Sequence, residues 1–328
     1  MKKEVIERMN KLGRERIPFL FLIDFLFVNP IIIELEKVDC SEILYNINGL
    51  SNSKDNEIIG KKEFSFEKYP IDFEVYKKSF DKVFSNFLSG NTYLVNLTFP
   101  TPIKTNLTLK EIFYISKAKY RLLYKDSFVV FSPEIFVKIT DNIISTFPMK
   151  GTIDSSVEDA RAKILNDNKE FAEHSTIVDL LRNDLSILAN KVFVPRFRYI
   201  EEIIGNDKSL LQVSSEIRGE LSENWNERVG NLICSLLPAG SISGAPKKKT
   251  VEIILDSEIY DRGYYTGVLG IFDGHNLDSG VMIRFIENTE NGMIFKSGGG
   301  ITAKSDVRKE YNEMVDKVFI PKQLKIEN

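Results

Sequence analysis

Residues 119–147 read KYRLLYKDSFVVFSPEIFVKITDNIISTF. The stretch alternates, is rich in β-branched and aromatic residues, and carries turn-forming pairs at Lys125-Asp126 and Asp141-Asn142. Period-two alternation broken by short turns predicts an antiparallel meander. Residues 264–301 repeat the arrangement, with at least three strands between Gly, Asn and Asp turns, and residues 17–33 read as an N-terminal hairpin turning at Asn29-Pro30. Residues 92–98 and 208–219 add further strands. Helices are predicted at residues 2–15, over Asp72–Leu88 (apolar at Phe73, Tyr76, Phe80, Val83, Phe84 and Phe87, stopped at Gly90-Asn91), and at 225–237 and 249–256. Thr108 with Glu111 forms a capping box. Ser155 with Glu158 forms a second, from which helix continues in pieces to Leu185. Ser305-Asp306 caps a last helix running to Phe319. Most β segments are joined by turns rather than helical crossovers, which predicts an α+β fold of antiparallel sheets with helices packed outside. The N-terminal helix and hairpin, residues 1–65 with a polar loop at 50–65, are expected to pack on a main unit at 66–328.

Composition narrows the function. The chain has 328 residues, a net charge of −3 and 43% hydrophobic residues, an ordinary globular balance without the basic footprint of a nucleic-acid binder. Two cysteines (Cys40, Cys234) and two histidines (His174, His275) build neither a disulfide framework nor a histidine-rich metal site, and fit a reducing cytoplasm. The apolar run Ile17–Ile23 is far shorter than the ~20 residues of a membrane span and is followed by Asp24, so no membrane association is expected. Nothing at the N-terminus has a signal-peptide pattern.

Several groups could carry chemistry. In PMKGT, Lys150 lies between an apolar strand end and Gly151. It reads either as a partly dry amine available as a nucleophile or as a strand-end lysine snorkelling to water. If Asp141-Asn142 is a two-residue turn, Glu134 of FSPEIF falls opposite residue 149, close to Lys150. Regular pairing would put the two on opposite faces, and Pro133 and Pro148 end the ladder there. Acid/base work and a lone salt bridge are both open readings. Glu173 lies in a helical segment. Glu310 and Glu313 share a helix face with Lys317 one turn on, either a solvated acidic surface or, with Glu173, an oxygen ligand set suited to Mg²⁺. AGSISGAPKKK (residues 239–249) lacks the GxxxxGK[ST] spacing of a nucleoside-triphosphate loop. SGGG (residues 297–300) reads as a turn or as a nest of backbone N–H groups for a carboxylate, with Arg284 a candidate clamp.

The order of these motifs is more specific than any one of them. SPE, PMKGT, IVDLLRNDL, VSSEIRGEL, SISGAPK, RGYYTG, the arginine strand VMIRF, GGG and EYNEM, over roughly residues 80–320, closely resemble the chorismate-utilising enzymes. The resemblance implies two packed antiparallel sheets with the active site in a cleft between them, and an N-terminal region shortened relative to longer members. It implies Mg²⁺ on Glu173 and Glu313 with Glu310 beside them. It implies substrate contacts from Ser241, Tyr265, Arg284, Gly298, Gly299, Gly300 and Lys317, with Gln212 where many members have histidine, and Glu134 as general acid at the C4 hydroxyl. PxKGT resembles the aminodeoxychorismate synthase branch, whose lysine is thought to attack C2, whereas anthranilate synthases typically carry alanine. Leu94 stands where isochorismate synthases place a lysine base and most amine users a glutamine. The implied activity is a transferase reaction, C4 amination of chorismate toward 4-aminobenzoate and folate. Ammonia would come from a separate glutamine amidotransferase subunit and a separate lyase would act downstream. Component I of anthranilate synthase and a non-catalytic chorismate-binding relative are the alternatives.

Overall fold

A computed structural model describes residues 2–53, 64–204 and 209–321. Most of the expected polar loop at 50–65 lies outside them. Strands Phe19–Ile23, Ile31–Glu34, Ile135–Thr140, Ile143–Thr146, Met149–Asp154, Asn190–Ile204, Ser209–Glu220, Val268–Phe272 and Leu277–Val281 form one antiparallel sheet, sheet I. Sheet II contains Ile43–Ile47, Leu50–Ser51, Phe66–Lys68, Leu94–Thr105, Tyr120–Tyr124, Phe128–Ser132, Gly244–Ala245, Phe285–Thr289 and Gly292–Ile301.

The run FLFLI at Phe19–Ile23 shows why the sheets stack. Phe19, Phe21 and Ile23 pack with Met9 and Leu12 of helix Lys2–Arg14 and with Trp225 and Val229. Leu20 and Leu22 join Leu269 and Ile271 against Ile43, Tyr45, Leu122 and Val130 of sheet II. A strand buried on both faces is apolar throughout rather than alternating, and each such side chain contributes about 1.5–3 kcal/mol on burial. The far side of sheet II is covered by Leu109, Ile112 and Phe113 of helix Leu109–Ile115, whose capping box is formed in both directions. The α+β reading with two packed antiparallel sheets and outer helices therefore holds.

The meander at 119–147 does not stay in one sheet. Tyr120–Tyr124 and Phe128–Ser132 pair in sheet II, while Ile135–Thr140 and Ile143–Thr146 pair in sheet I. The chain changes sheets at Pro133-Glu134, where proline cannot donate to a ladder. Residues 264–301 repeat this in reverse: Val268–Phe272 and Leu277–Val281 lie in sheet I, Phe285–Thr289 and Gly292–Ile301 in sheet II. The return passes through Met282, Ile283 and Arg284, the last at a left-handed φ of 52°. The two crossings bond to each other: Val281 N donates to Glu134 O and Phe131 N to Arg284 O, both at 3.1 Å.

Other expectations need correction. Strand 92–98 continues to Thr105 through Pro100 and Pro102. Thr98 N points away from strand Gly292–Ile301, to Glu258 Oε1 at 2.8 Å, and the two prolines share its parity, so no donor to that strand is lost. Ser155 and Glu158 cap nothing: the Asp154 carboxylate takes Ser156 N at 2.9 Å and Ser156 Oγ at 2.7 Å, and helix begins at Ala160. Residues 239–249 contain a helical turn, Gly240–Ser243, and a bridge at Gly244–Ala245. SGGG is neither turn nor nest but part of strand Gly292–Ile301, with Gly298 opposite Thr98. Strand Asn190–Ile204 is an element that sequence reading did not find.

Candidate active site

A cavity of about 300 Å³, at the lower end of the ~300–1,000 Å³ of small-molecule sites, opens where the crossings meet. Its lining includes Glu134, Lys150, Gln212, Ser241, Tyr265 and Arg284, and equally Gly298, Gly299, Gly300, Glu313, Lys317 and Leu94. Glu173 and Glu310 reach it through their neighbours.

Asp141 and Asn142 form the expected two-residue turn, both at positive φ (50° and 61°), with Thr140 opposite Ile143. Beyond Pro148 the chain pairs instead with Ser209–Glu220. Met149 faces Ser214 and Thr152 faces Gln212, so one extra residue is accommodated as a bulge with Gly151 at φ +80°. The bulge resolves the opposite-face problem: Lys150 lines the same cavity as Glu134. Its Nζ lies 3.2 Å from Glu173 Oε2, with side-chain exposures of 28% and 12%. Residues Glu173, Ile177, Leu181 and Asp184 recur at helical spacing on one face of helix Asn168–Ser186.

Glu134, on the first crossing, accepts a short hydrogen bond from Ser241 Oγ. Burial raises its pKa, and that bond together with Arg284, Lys317 and Lys150 opposes the rise. Arg284, on the second crossing, is also buried, which lowers its pKa against the pull of Tyr265, Glu134 and Glu313. Among the described residues its guanidinium makes no hydrogen bond or ion pair, and the Phe319 ring lies 5.4 Å away. A planar fork of five donors left this way in a cavity suits a carboxylate. Tyr265 is carried by a turn tied to the same crossing, with Thr266 N donating to Met282 O and Met282 N to Gly267 O, each at 2.8 Å.

The glycine strand forms one wall. A Cβ on Gly298 would lie 2.3 Å from Leu97 O, so that position excludes a side chain. A Cβ on Gly300 would lie 3.2 Å from Leu94 Cδ1 and 3.6 Å from Lys150 Nζ. Lys317 Nζ donates to Gly298 O at 2.9 Å and pairs with Glu313 at 2.7 Å; burial lowers its pKa and Glu313 opposes this. Gly298 and Gly300 share the parity of Thr98, so their N–H groups point to this open edge.

The position of a Gly299 Cβ is 3.6 Å from both Glu310 Oε2 and Glu313 Oε1. Two carboxylates approach that position, a donor type that fits Mg²⁺, and Lys317 Nζ, 3.7 Å from it, holds Glu313 Oε1 at 2.7 Å. Glu173 instead holds Lys150, and among the described residues no three acidic, histidine or cysteine side chains gather around one point. Of the polar lining residues that sequence reading missed (Asn96, Thr146, Thr152 and Asp184), the charged one is Asp184. Its place eleven residues after Glu173, on the same helix face, was the available signal.

The profile of a family described as chorismate binding enzyme matches residues 34–322. An uncharacterized PabA-like protein of Pasteurella multocida (strain Pm70) is 49% identical over 316 residues, 96% of this chain and 98% of that one. Aminodeoxychorismate synthase component 1 of Bacillus subtilis (strain 168) is 29% identical over 265 residues, 76% of this chain and 55% of that one. Anthranilate synthase component 1 of Aquifex aeolicus (strain VF5) is 35% identical over 195 residues, 57% of this chain and 38% of that one. The structure of the menaquinone-specific isochorismate synthase of Escherichia coli superposes with a TM-score of 0.70 at 13% identity, over 96% of this chain and 80% of that one, a likeness of fold. No described helix is long and apolar enough to cross a membrane.

Proposed function

The chain belongs to the chorismate binding enzyme family, and on that premise we propose that it aminates chorismate at C4, with Lys150 as a covalent nucleophile and Glu134 as general acid. The observation that carries this reading is the Gly151 bulge, which aims the Lys150 amine into the cavity shared with Glu134. Glu173, at 3.2 Å, takes the proton that Lys150 must lose. The free amine bonds to C2 of the ring, both conjugated ring double bonds shift around the ring toward C4, and the C4–O bond breaks as Glu134 gives its proton to the departing hydroxyl, which leaves as water. Ammonia then bonds to C4, both double bonds return, the C2–N bond electrons go back to Lys150, and the proton lost from the new C4 amine restores Glu134. Chorismate plus ammonia thus gives 4-amino-4-deoxychorismate plus water.

The raised pKa of Glu134 suits this role, because an acid must hold its proton until the leaving group needs it. Arg284 and the N–H groups of Gly298 and Gly300 receive substrate carboxylates, while Ser241, Tyr265, Gln212 and Lys317 complete the walls. Glu310 and Glu313 would hold Mg²⁺, which when bound neutralises and anchors a substrate carboxylate, while Glu173 serves Lys150. Leu94 puts an apolar group beside the amine, against a water-adding reaction. A separate glutamine amidotransferase supplies the ammonia, and a separate lyase carries the product to 4-aminobenzoate for folate synthesis, all in the cytoplasm.

Product identity tests the reading. The purified chain is incubated with chorismate, Mg²⁺ and concentrated ammonium at mildly alkaline pH, beside Lys150→Ala, and products are read by chromatography and mass spectrometry. Aminodeoxychorismate from the parent and its near loss in the variant is the expected result. Anthranilate would assign the chain to the anthranilate synthase branch. Chorismate-dependent thermal stabilisation without product would make it a binding protein.

A further inference from the structure

Helix Asn168–Ser186 carries a lysine–carboxylate pair at each end of its cavity face. Glu173 meets Lys150, and eleven residues later Asp184 meets Lys247, whose Nζ donates to Asp184 Oδ2 and to Leu236 O, each at 2.9 Å. Eleven residues at ~1.5 Å rise separate the two carboxylates by about 16 Å along the axis. The proposed reaction uses only the first pair.

Asp184 lines the cavity, and among the described residues Lys247 is its one hydrogen-bond partner, engaging Oδ2. Oδ1 is left to accept from a ligand. The carboxylate abuts the Ser241 turn: a Cβ on Gly240 would lie 2.9 Å from Asp184 Oδ2. Ser241, the next residue, bonds Glu134, the group that marks the C4 oxygen. Asp184 therefore lies beside the Ser241 turn, about three helical turns from the Glu173–Lys150 pair. Leu181 and Leu185, beside Asp184 in the helix, and Leu236 and Ala239, just before the Ser241 turn, are apolar lining residues and make up this arm of the cavity. A small donor of N–H bonds fits such a place, since it needs one acceptor and tolerates apolar walls.

We propose that Asp184 is the subsite for the second substrate, binding ammonium at Oδ1 and handing ammonia to C4. The inference rests on the C4-amination reading. Ammonium gives one proton to the Asp184 carboxylate, the ammonia lone pair bonds to C4, and the proton then leaves to solvent. Burial raises the Asp184 pKa against the opposing pull of Lys247, which makes the carboxylate a better base than an exposed aspartate.

The test compares steady-state constants of the full chain with Asp184→Asn, varying ammonium and chorismate separately. Mass spectrometry of the intact chain with chorismate and no ammonium reads the lysine adduct. Asp184→Asn is expected to raise the ammonium KM about tenfold, the loss of roughly 1.4 kcal/mol for one charge-assisted hydrogen bond. Chorismate KM and adduct formation stay within about twofold on this view. An unchanged ammonium KM, or an equal loss toward both substrates, overturns the subsite. Should Asp184→Asn not fold, Leu181→Phe narrows the same arm and must raise the ammonium KM selectively; no selective rise is again a refutation. A parent chain that forms neither adduct nor 4-amino product refutes the amination reading itself, a separate outcome.

Discussion

Two ion pairs, one reaching the cavity through Lys150 and one outside its lining, differ in saturation. Arg262 and Glu258 are each 2% exposed. Arg262 uses all five of its N–H donors: two on Glu258 (2.8 and 2.6 Å), the others on Ile242 O, Thr266 Oγ1 and Asn96 O. Glu258 also accepts from Thr98 N and Oγ1, both at 2.8 Å. This pair ties the Ser241 turn and the Tyr265 turn to strand Leu94–Thr105, and no donor remains for a ligand. Lys150 and Glu173 are more open, and among the described residues Lys150 makes one bond with its three donors. Arg284 makes none. Saturated charges hold the fold, and on the proposed reading the unsaturated ones receive a substrate; burial alone does not separate the two kinds.

The comparison can be broken by experiment. Lys150→Ala should cost the most, roughly 10⁴-fold in C4-amination rate, with little change in the denaturation midpoint. A loss of stability instead would make Lys150 a structural cation. Glu134→Gln should follow at roughly 10³-fold, in line with the loss of a general acid. Arg262→Gln should do the reverse, lowering unfolding free energy in urea by about 3 kcal/mol because Glu258 stays buried without its partner. Any activity that survives should keep the parent pH profile.

A smaller effect concerns pH. Glu134 acts in its protonated form, and burial raises its pKa, so activity is present below that pKa and falls as pH rises through it. Ser241 donates to the carboxylate and so favours ionisation. Ser241→Ala should therefore move the alkaline limb of kcat to higher pH, and a downward shift would contradict the assignment. The smallest effect is expected from Gly299→Ala. Its Cβ would find ordinary 3.6 Å contacts, so folding should survive while substrate KM rises a few-fold. Gly298→Ala, with 2.3 Å to Leu97 O, should lose soluble protein first.

The strands were largely legible because alternation and turn residues are local signals. Which sheet each strand joins was not. Pro133 and Arg284 divert the chain between layers without altering the alternation on either side, so the meander at 119–147 looks continuous. Strand Asn190–Ile204 was missed because its ladder shifts register three times, with Lys191 and Arg198 at positive φ, which erases period two. The Ser155 capping box failed because Asp154, one residue earlier, captures the same backbone. SGGG misled because glycines in a row signal a turn, whereas here the reason for glycine at Gly298 is the partner strand. For the site, the lining residues were reached through ordered motifs. Asp184 lay inside a quoted motif, yet its exposure to the cavity depends on the Ser241 turn more than fifty residues later in the chain.

The paired crossings also bear on when the site comes into being. Glu134 and Arg284 meet through bonds between segments far apart in sequence, and Lys317 closes the wall from the last described helix. Contacts of such long range form late and slowly, after loop-closure entropy has been overcome. During synthesis, the first half of the chain can order its hairpins on the ribosome, but the cavity lacks its Lys317 wall until that residue has emerged. On the proposed reading, substrate recognition therefore requires synthesis through residue 317, and fragments ending before the last described helix should be unable to bind chorismate.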